Sequence, residues 1–180
     1  MLGFTGFVRE WHGLDKVIDM IATDPPDSVR TLLIVGDGPA RVPLEQQAAR
    51  LGIGHRVRFT GVVERDDVAR YVAAFDIALQ PAVTAYASPL KLFEYLALGK
   101  AIIGPAQSNI EEILTDGENA LLFDPADPLA MPHAISRLCA DPLLRVRIAD
   151  NARRTIADQK LTWLENAQRV VDLFVALKAK

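Results

Sequence analysis

Lys91 and Glu94 stand near the start of a predicted helix in the stretch SPLKLFEYLALGK, Ser88 to Lys100. At about 100° per residue, these two charged residues fall on one face of the helix together with Tyr95. The opposite face is apolar and consists of Leu90, Leu92, Phe93, Leu96 and Ala97. A cation and a carboxylate are therefore placed side by side at the positive end of the helix dipole, where an anion is favoured.

The first turn of this helix is suited to holding a phosphate group. Ser88 is expected to cap the helix, and Pro89 fits the first turn because its missing N–H would have no partner there. A phosphate would meet the free N–H groups of Leu90 and Lys91 and the lysine ammonium, and Glu94 could accept hydrogen bonds from ribose hydroxyls. The same residues also fit an i,i+3 ion pair worth ~0.2–0.5 kcal/mol on a solvated face. Taken alone, they support both interpretations equally.

Two other stretches place candidate residues directly after a predicted strand. GDGPAR contains Gly36 and Gly38, which would let the backbone approach an anion. It lacks the third glycine of GxGxxG and the Lys-Ser/Thr of a P-loop, so a tight turn is the simpler interpretation. His12 lies in the loop REWHG, where a packing role is the commoner one for a lone histidine and a catalytic role stays open.

The remaining polar residues form no catalytic or metal-binding pattern. Glu111 and Glu112 are explained by stabilisation of a helix start. No His, Cys or Asp cluster has metal-ligand spacing, and no G-x-S-x-G elbow is present. Cys139 has no second cysteine to pair with and is predicted to be a packing residue. We therefore predict no metal site.

Composition and charge exclude several classes of function. The 180-residue chain carries a formal net charge of −3, so it lacks the basic surface expected of a nucleic-acid-binding protein. Its hydrophobic content of 50% fits strands that are buried on both faces. No apolar run approaches the ~18 residues of a membrane-spanning helix, so we expect neither a membrane span nor a signal peptide within these residues.

Strand-like and helical runs alternate along the chain. The predicted strands cover residues 2–8, 31–35, 57–60, 77–80, 101–104 and 120–123. The predicted helices cover residues 14–22, 43–51, 66–74, 88–98 and 110–114, and a helical tail follows from residue 128 with breaks at 141–142 and near 160–162. This alternation predicts a doubly wound, Rossmann-like α/β fold, with a parallel sheet of about six strands, helices on both faces and a helical C-terminal extension. Ligands of such sheets bind beyond the carboxyl ends of the strands, where His12, Gly36 and Lys91 are placed.

Six segments in order resemble the C-terminal, donor-binding domain of GT-B glycosyltransferases of the family 4, or glycosyl transferases group 1, type. They are GFVREWHGLDKVIDMIA, LLIVGDGPAR, VRFTGVVERDDVARYVAAFDIALQP, SPLKLFEYLALGKAIIG, EEILTDGENALLF and the closing helices with LTW. The resemblance covers essentially the whole chain. It implies transfer of a sugar from a UDP- or GDP-sugar with retention of anomeric configuration, without a metal or other cofactor.

The resemblance also implies roles for individual residues. Lys91 and His12, with Arg9, would stabilise the departing diphosphate, because cations and helix-terminal amides must do so where no metal is bound. The implied donor-binding residues are Glu94 at the ribose, Val63 at the base, Gly36 and Gly38 at the cleft, Leu90 at the diphosphate through its amide, and Tyr86 and Ser88 at the sugar.

Three positions depart from the family pattern. The family commonly has an Arg and a Lys after the first strand, in a G-R-…-K-G pattern, and this chain has Phe7 and His12 there. The first of two family glutamates separated by seven residues falls on Tyr86, and the second on Glu94. The departures motivate a second hypothesis, a non-catalytic nucleotide-binding or partner-docking module. A sugar-nucleotide epimerase of the same overall fold is a third.

The resemblance divides the chain into two parts. Residues 1–160 are expected to form the nucleotide-sugar-binding domain, and residues 161–180 a helix that crosses to an N-terminal, acceptor-binding domain. We expect a fragment of a two-domain protein that is inactive alone and cytoplasmic, with a place at the inner face of the membrane through the other half. Alone, the helix would dock on its own domain or expose an apolar stripe that favours self-association. The stripe consists of Leu164, Val170, Val171 and Phe174.

Overall fold

A six-stranded parallel sheet forms the centre of the computed structural model, which describes residues 1–178. The strands are β1 (Leu2–Thr5), β2 (Leu32–Val35), β3 (Val57–Phe59), β4 (Ile77–Leu79), β5 (Ala101–Pro105) and β6 (Leu121–Phe123). They pair in the order β3-β2-β1-β4-β5-β6. The predicted fold class is confirmed, and the chain order reverses beside β1, where a doubly wound sheet opens a crevice for ligands.

Helices cover both faces of the sheet and extend beyond it. Their bounds are α1 (Leu14–Ala22), α2 (Arg41–Arg50), α3 (Arg65–Ala73), α4 (Lys91–Ala97), α5 (Ser108–Glu111), α6 (Ala130–Ala140), α7 (Pro142–Asp158) and α8 (Trp163–Lys178). The predicted breaks in the C-terminal tail fall between α6 and α7 and between α7 and α8. None of the helices within the described residues combines the length and apolar content needed to cross a bilayer.

Helix α4 begins at Lys91 rather than at Ser88. The N–H of Leu92 donates to the carbonyl of Pro89 at 3.0 Å, so the chain enters the helix through a tighter turn than an α-helical one. Leu90 takes the cap position, and no side chain accepts a hydrogen bond there. The predicted capping by Ser88 was therefore wrong, because this turn separates the serine from the first helical residues.

The sheet buries a separate apolar core on each face. Side chains of Leu2 and Phe4 belong to the core that α1, α2 and α6 cover, and the opposite core is covered by α3 and α4. Helix α7 contributes buried side chains to both cores. In the second core, Gly3 lies under the ring of Phe75, and a Cβ at Gly3 would lie 2.1 Å from that ring. The glycine thus lets an aromatic ring rest directly on the central strand.

Helix α8 belongs to neither core. No residue between Trp163 and Lys178 is buried. The side chains of the predicted stripe, Leu164, Val170, Val171 and Phe174, are each more than half exposed. Of the two arrangements expected for this helix, the structure has the exposed stripe. Residues 179 and 180 of the predicted helical segment lie outside the described residues.

Candidate functional site

The side chain of Lys91 turns inward over the carboxyl end of β1. Its Nζ lies 3.7 Å from the centre of the Phe4 ring. A Cβ at Gly6 would lie 3.2 Å from the same Nζ, so the lysine passes directly over the backbone that follows β1. Burial lowers the pKa of Lys91 to about 7, and the charge of Glu94 acts in the opposite direction. Lys91 is therefore not part of a solvated helix face.

The Lys91 ammonium has no partner of its own within residues 1–178. It forms no salt bridge there, whereas six other ion pairs do form, and it donates no hydrogen bond. In particular, the i,i+3 pair with Glu94 that the sequence left open is absent from this part of the chain. A partly buried cation without a counter-ion is available to an anionic ligand.

Tyr95 lies in the core instead of on the charged face. Its side chain is fully buried, and its hydroxyl accepts a hydrogen bond from the N–H of Thr5 at 2.9 Å. Burial raises the pKa of the Tyr95 hydroxyl above its ordinary value. The predicted position beside Lys91 and Glu94 was wrong, because α4 packs between the sheet and α7 and has two buried sides. The hydrogen bond fixes α4 against the end of β1.

His12 lies beside Lys91 at the end of a short 3-10 turn, Glu10–His12. Its ring lies against Phe4, with 4.9 Å between ring centres, and its Nδ1 accepts a hydrogen bond from the N–H of Arg9 at 3.1 Å. The proton of the neutral ring is therefore on Nε2. Burial lowers the pKa of His12 to about 4, and the charges of Lys91 and Arg9 also lower it. The side chains of His12 and Lys91 thus both pack against the Phe4 ring.

Arg9 brings a second cation to the same end of the sheet, beside Lys91 and the neutral ring of His12. Its guanidinium carbon lies 4.5 Å from the centre of the Phe7 ring and 5.3 Å from that of Trp11. Both aromatic side chains are exposed, and Arg9 has no salt-bridge partner among the described residues. Phe7 stands where the family pattern has an arginine. In this chain its ring packs against the guanidinium group of Arg9, two residues further on.

A groove of about 330 Å³ lies over the ends of β1 and β2 and the loop that follows β3. Three predicted donor-binding residues line it together, namely Gly36, Val63 and Glu94. Its other lining residues include Gly6 and Phe7 after β1 and the apolar side chains of Val35, Val62 and Val68. Glu94 is exposed, so its carboxylate is available at the groove wall.

The glycines of GDGPAR allow the loop after β2 to lie directly against the backbone of the loop after β1. A Cβ at Gly36 would lie 2.1 Å from the carbonyl oxygen of Gly6, and one at Gly38 would lie 2.3 Å from that of Val8. Gly38 is not among the residues that line the groove, and its role as a donor ligand stays a prediction. The final arginine of the motif, Arg41, forms ion pairs with Asp37 at 3.0 Å and Glu45 at 2.8 Å.

Tyr86 and Ser88, in the segment that precedes α4, do not line this groove. Both side chains are exposed, as is that of Leu90. Two buried carboxamides, those of Gln80 and Asn109, donate hydrogen bonds to carbonyls of this segment. The sequence analysis missed both. The only signal for Gln80 is a polar residue at the end of the apolar strand Ile77–Leu79, and Asn109 carries none.

Other predicted features can be placed more briefly. Among residues 1–178, no three His, Cys, Asp or Glu side chains gather in a way that could hold a metal ion. The thiol of Cys139 is partly buried and packs against the core below α6.

The family model described as glycosyl transferases group 1 matches residues 1–141. The lipopolysaccharide core biosynthesis glycosyltransferase LpsE of Rhizobium meliloti is 32% identical over 152 residues, which are 83% of this chain and 42% of LpsE. The chain spans less than half of the length of this relative and of two further curated glycosyltransferases that it matches.

Solved structures give the same assignment. HepE of Anabaena, crystallised with UDP, matches with a TM-score of 0.85 and 25% identity, over 97% of this chain and 48% of HepE. The C-terminal domain of the group 1 protein LpcC of Francisella tularensis shares the fold, with a TM-score of 0.76 and 23% identity over 88% of this chain and 85% of that domain. The chain belongs to the glycosyl transferases group 1 family and has the fold of the C-terminal domain of a GT-B glycosyltransferase.

Proposed function

We propose that this chain binds the nucleoside diphosphate of a UDP-sugar, and that the complete protein transfers the sugar to an acceptor. The observation that carries the proposal is the cluster of Lys91, His12 and Arg9 at the end of β1, where no carboxylate pairs with Lys91 or Arg9 within the described residues. His12 is neutral at pH 7 and can donate a hydrogen bond through Nε2, whereas Lys91 and Arg9 are cations without a carboxylate partner among the described residues. This set favours a multiply charged anion. A diphosphate supplies that charge.

The diphosphate would be held by the cations and by backbone N–H groups. Within residues 1–178, the N–H groups of Leu90 and Lys91 donate to no other residue, so both remain free for phosphate oxygens. The glycine at position 6 leaves room beneath Nζ of Lys91. As the sugar departs, negative charge grows on the diphosphate, and these fixed donors stabilise it without reorganisation.

The nucleoside would occupy the groove lined by Gly36, Val63 and Glu94. The carboxylate of Glu94 is placed to accept hydrogen bonds from the ribose hydroxyls, and the valines offer an apolar surface to a base. HepE has been crystallised with UDP and with UDP-glucose, which supports uracil as the base here. The predicted choice between UDP and GDP is thereby narrowed to a proposal of UDP.

The family resemblance also leads us to propose that the complete protein transfers the sugar with retention of anomeric configuration and without a metal. On the same ground we propose that it acts at the inner face of the membrane. Chelation of divalent cations is expected to leave transfer by the complete protein unchanged. The isolated chain is expected to be inactive, because it contributes only one of the two substrate-binding surfaces and positioning of both substrates supplies much of the rate.

Calorimetric titration of the purified chain with UDP, GDP and ADP tests the proposal. UDP is expected to bind most tightly, and Lys91→Met and Glu94→Ala are each expected to weaken it. Lys91→Met keeps the packing of the side chain on Phe4 and removes only the charge. Arg147→Ala, which removes an exposed cation of α7, is the control for net charge and is expected to leave UDP affinity unchanged.

The titration has two adverse outcomes. If no nucleotide binds, the donor-site proposal is wrong for this chain. If UDP binds but the complete protein transfers no sugar, the chain is a nucleotide-binding module, the hypothesis that Phe7 and Tyr86 motivate.

A further inference from the structure

Three buried carboxamide oxygens lie beyond the ends of the adjacent strands β4 and β5. They are Oε1 of Gln80, Oε1 of Gln107 and Oδ1 of Asn109, and none has a hydrogen-bond donor among the described residues. A buried polar atom without a partner costs about 1–3 kcal/mol. Folded proteins keep few of them, so each calls for an explanation.

Two of these side chains use their NH2 groups to hold one segment of backbone. Nε2 of Gln80 donates to the carbonyl of Ala82 at 2.5 Å. Nδ2 of Asn109 donates to the carbonyls of Ala87 at 2.6 Å and Thr84 at 3.2 Å. The segment 82–87 is thus fixed at three carbonyls by two carboxamides. Gln107 donates to none of them.

Stability alone does not account for Gln80 and Asn109. Gln80 is 1% exposed and continues the apolar strand β4, where an apolar side chain of similar size would bury no unpaired oxygen. Residues that break a local rule of stability are found at functional sites. What the two carboxamides supply is the fixed conformation of segment 82–87.

The position of this segment follows from the order of the strands. The groove proposed for the nucleoside lies over the ends of β1, β2 and β3, and the cations lie at the end of β1. A sugar is attached to the far end of the diphosphate, so an extended nucleotide sugar continues from β1 toward β4 and β5. Segment 82–87, which follows β4, is the backbone that it meets there.

We propose that Gln80 and Asn109 are positioning residues that hold segment 82–87 against the sugar of the bound UDP-sugar. The inference rests on the proposed function and adds to it the residues that shape the sugar end of the site. Neither side chain needs to touch the sugar. Their effect on sugar binding passes through the backbone of the segment that they hold.

Separate titrations of UDP and UDP-glucose into the wild-type chain and three variants test this inference. Asn109→Leu and Gln80→Met keep the approximate side-chain shape and remove the donors to the segment. Gln107→Met is the matched control, because it removes an equally unpartnered buried oxygen from the same region without touching segment 82–87. Thermal unfolding of each variant establishes that it is folded. If only one of Asn109→Leu and Gln80→Met folds, that variant alone is enough for the test.

The quantity to compare is the ratio of UDP-glucose affinity to UDP affinity. This ratio is expected to fall about tenfold in Asn109→Leu and less in Gln80→Met, in proportion to the hydrogen bonds lost. UDP affinity itself, and both affinities in Gln107→Met, are expected to stay within about twofold of wild type.

Three results would overturn the inference. An unchanged ratio in a folded test variant means that the segment does not shape the sugar end of the site. An equal loss of UDP and UDP-glucose binding means that the carboxamides have only a general structural role. In both cases wild-type binding of UDP leaves the proposed function intact. Absence of UDP binding to the wild-type chain removes the proposed function and this inference with it.

Discussion

The region around helix α4 has a partly buried lysine at each end, and the two lysines differ in what surrounds them. Lys100, just after the helix, donates to the carbonyls of Ala73 at 2.6 Å and Phe75 at 3.0 Å. Lys91, at the first turn, faces the Phe4 ring and donates to no residue among those described. Burial lowers the pKa of both. A perturbed pKa therefore does not separate the structural lysine from the binding one, and the hydrogen-bond partners do.

The largest expected effect is that Lys91→Met loses UDP affinity but not stability, whereas Lys100→Met loses stability but not UDP affinity. Lys91→Met is expected to weaken UDP binding by at least about tenfold and to leave the free energy of unfolding unchanged or higher. Lys100→Met is expected to lower the free energy of unfolding by about 2 kcal/mol, because two carbonyls lose a charged donor, and to leave UDP affinity unchanged. Denaturant unfolding and calorimetry measure the two quantities. Loss of stability without loss of binding in Lys91→Met would remove the distinction between the two lysines.

UDP affinity is expected to fall as the pH rises above 7. In the free chain Lys91 loses its proton near pH 7, and a bound diphosphate raises its pKa toward the ordinary value, so binding takes up a proton. Between these two pKa values the affinity decreases by up to about tenfold per pH unit. Titrations at pH 8 in buffers of different ionisation enthalpy measure the uptake. Lys91→Met should show none, and an uptake that persists in this variant would assign it to another group.

Tyr95→Phe tests how firmly the Lys91 end of the helix is fixed to the sheet. The variant leaves the buried N–H of Thr5 without its acceptor, so we expect a loss of about 1 kcal/mol in the free energy of unfolding. The packing of the ring is retained. Chemical denaturation at neutral pH gives the value, and a variant as stable as wild type would show that the hydroxyl does not anchor α4.

Glu94→Gln should have the smallest effect on stability. The carboxylate is exposed and forms no salt bridge within residues 1–178, so the free energy of unfolding is expected to change by no more than about 0.5 kcal/mol. The substitution is expected to change ligand binding instead. Because Glu94 is proposed to accept hydrogen bonds from the ribose hydroxyls, the preference for UDP over 2′-deoxy-UDP is expected to decrease. A variant with the wild-type preference would place the ribose away from Glu94.

The sequence predicted the strands and helices well because their signals are local. Buried parallel strands such as Leu32–Val35 are continuous apolar runs between turn residues, and the helix Leu14–Ala22 has an amphipathic period. Helix α4 misled the prediction because it is covered on two sides. A two-faced interpretation placed Tyr95 on the charged face with Lys91 and Glu94, although its hydroxyl has a buried partner from β1.

The candidate site was predictable only in part. Lys91, His12 and Glu94 follow from their positions after strands and from the family resemblance. The lack of a salt-bridge partner for Lys91 within residues 1–178 was not predictable, since Phe4 and Gly6 come close to it only through the pairing of β1 with β4. The carboxamides of Gln80 and Asn109 depend on the loop conformation, which leaves no periodic signal in the sequence.

The central place of β1 has a consequence for the order in which the sheet can assemble. Its first residues pair with Leu32 on one side and with Ile77 on the other, so its two edges close at very different chain lengths. During synthesis the β1–β2 pair can form early, and the second edge of β1 then keeps unpaired backbone groups until β4 emerges from the ribosome. That interval exposes an apolar strand edge, so the first half of the chain is open to wrong strand pairing until β4 is available.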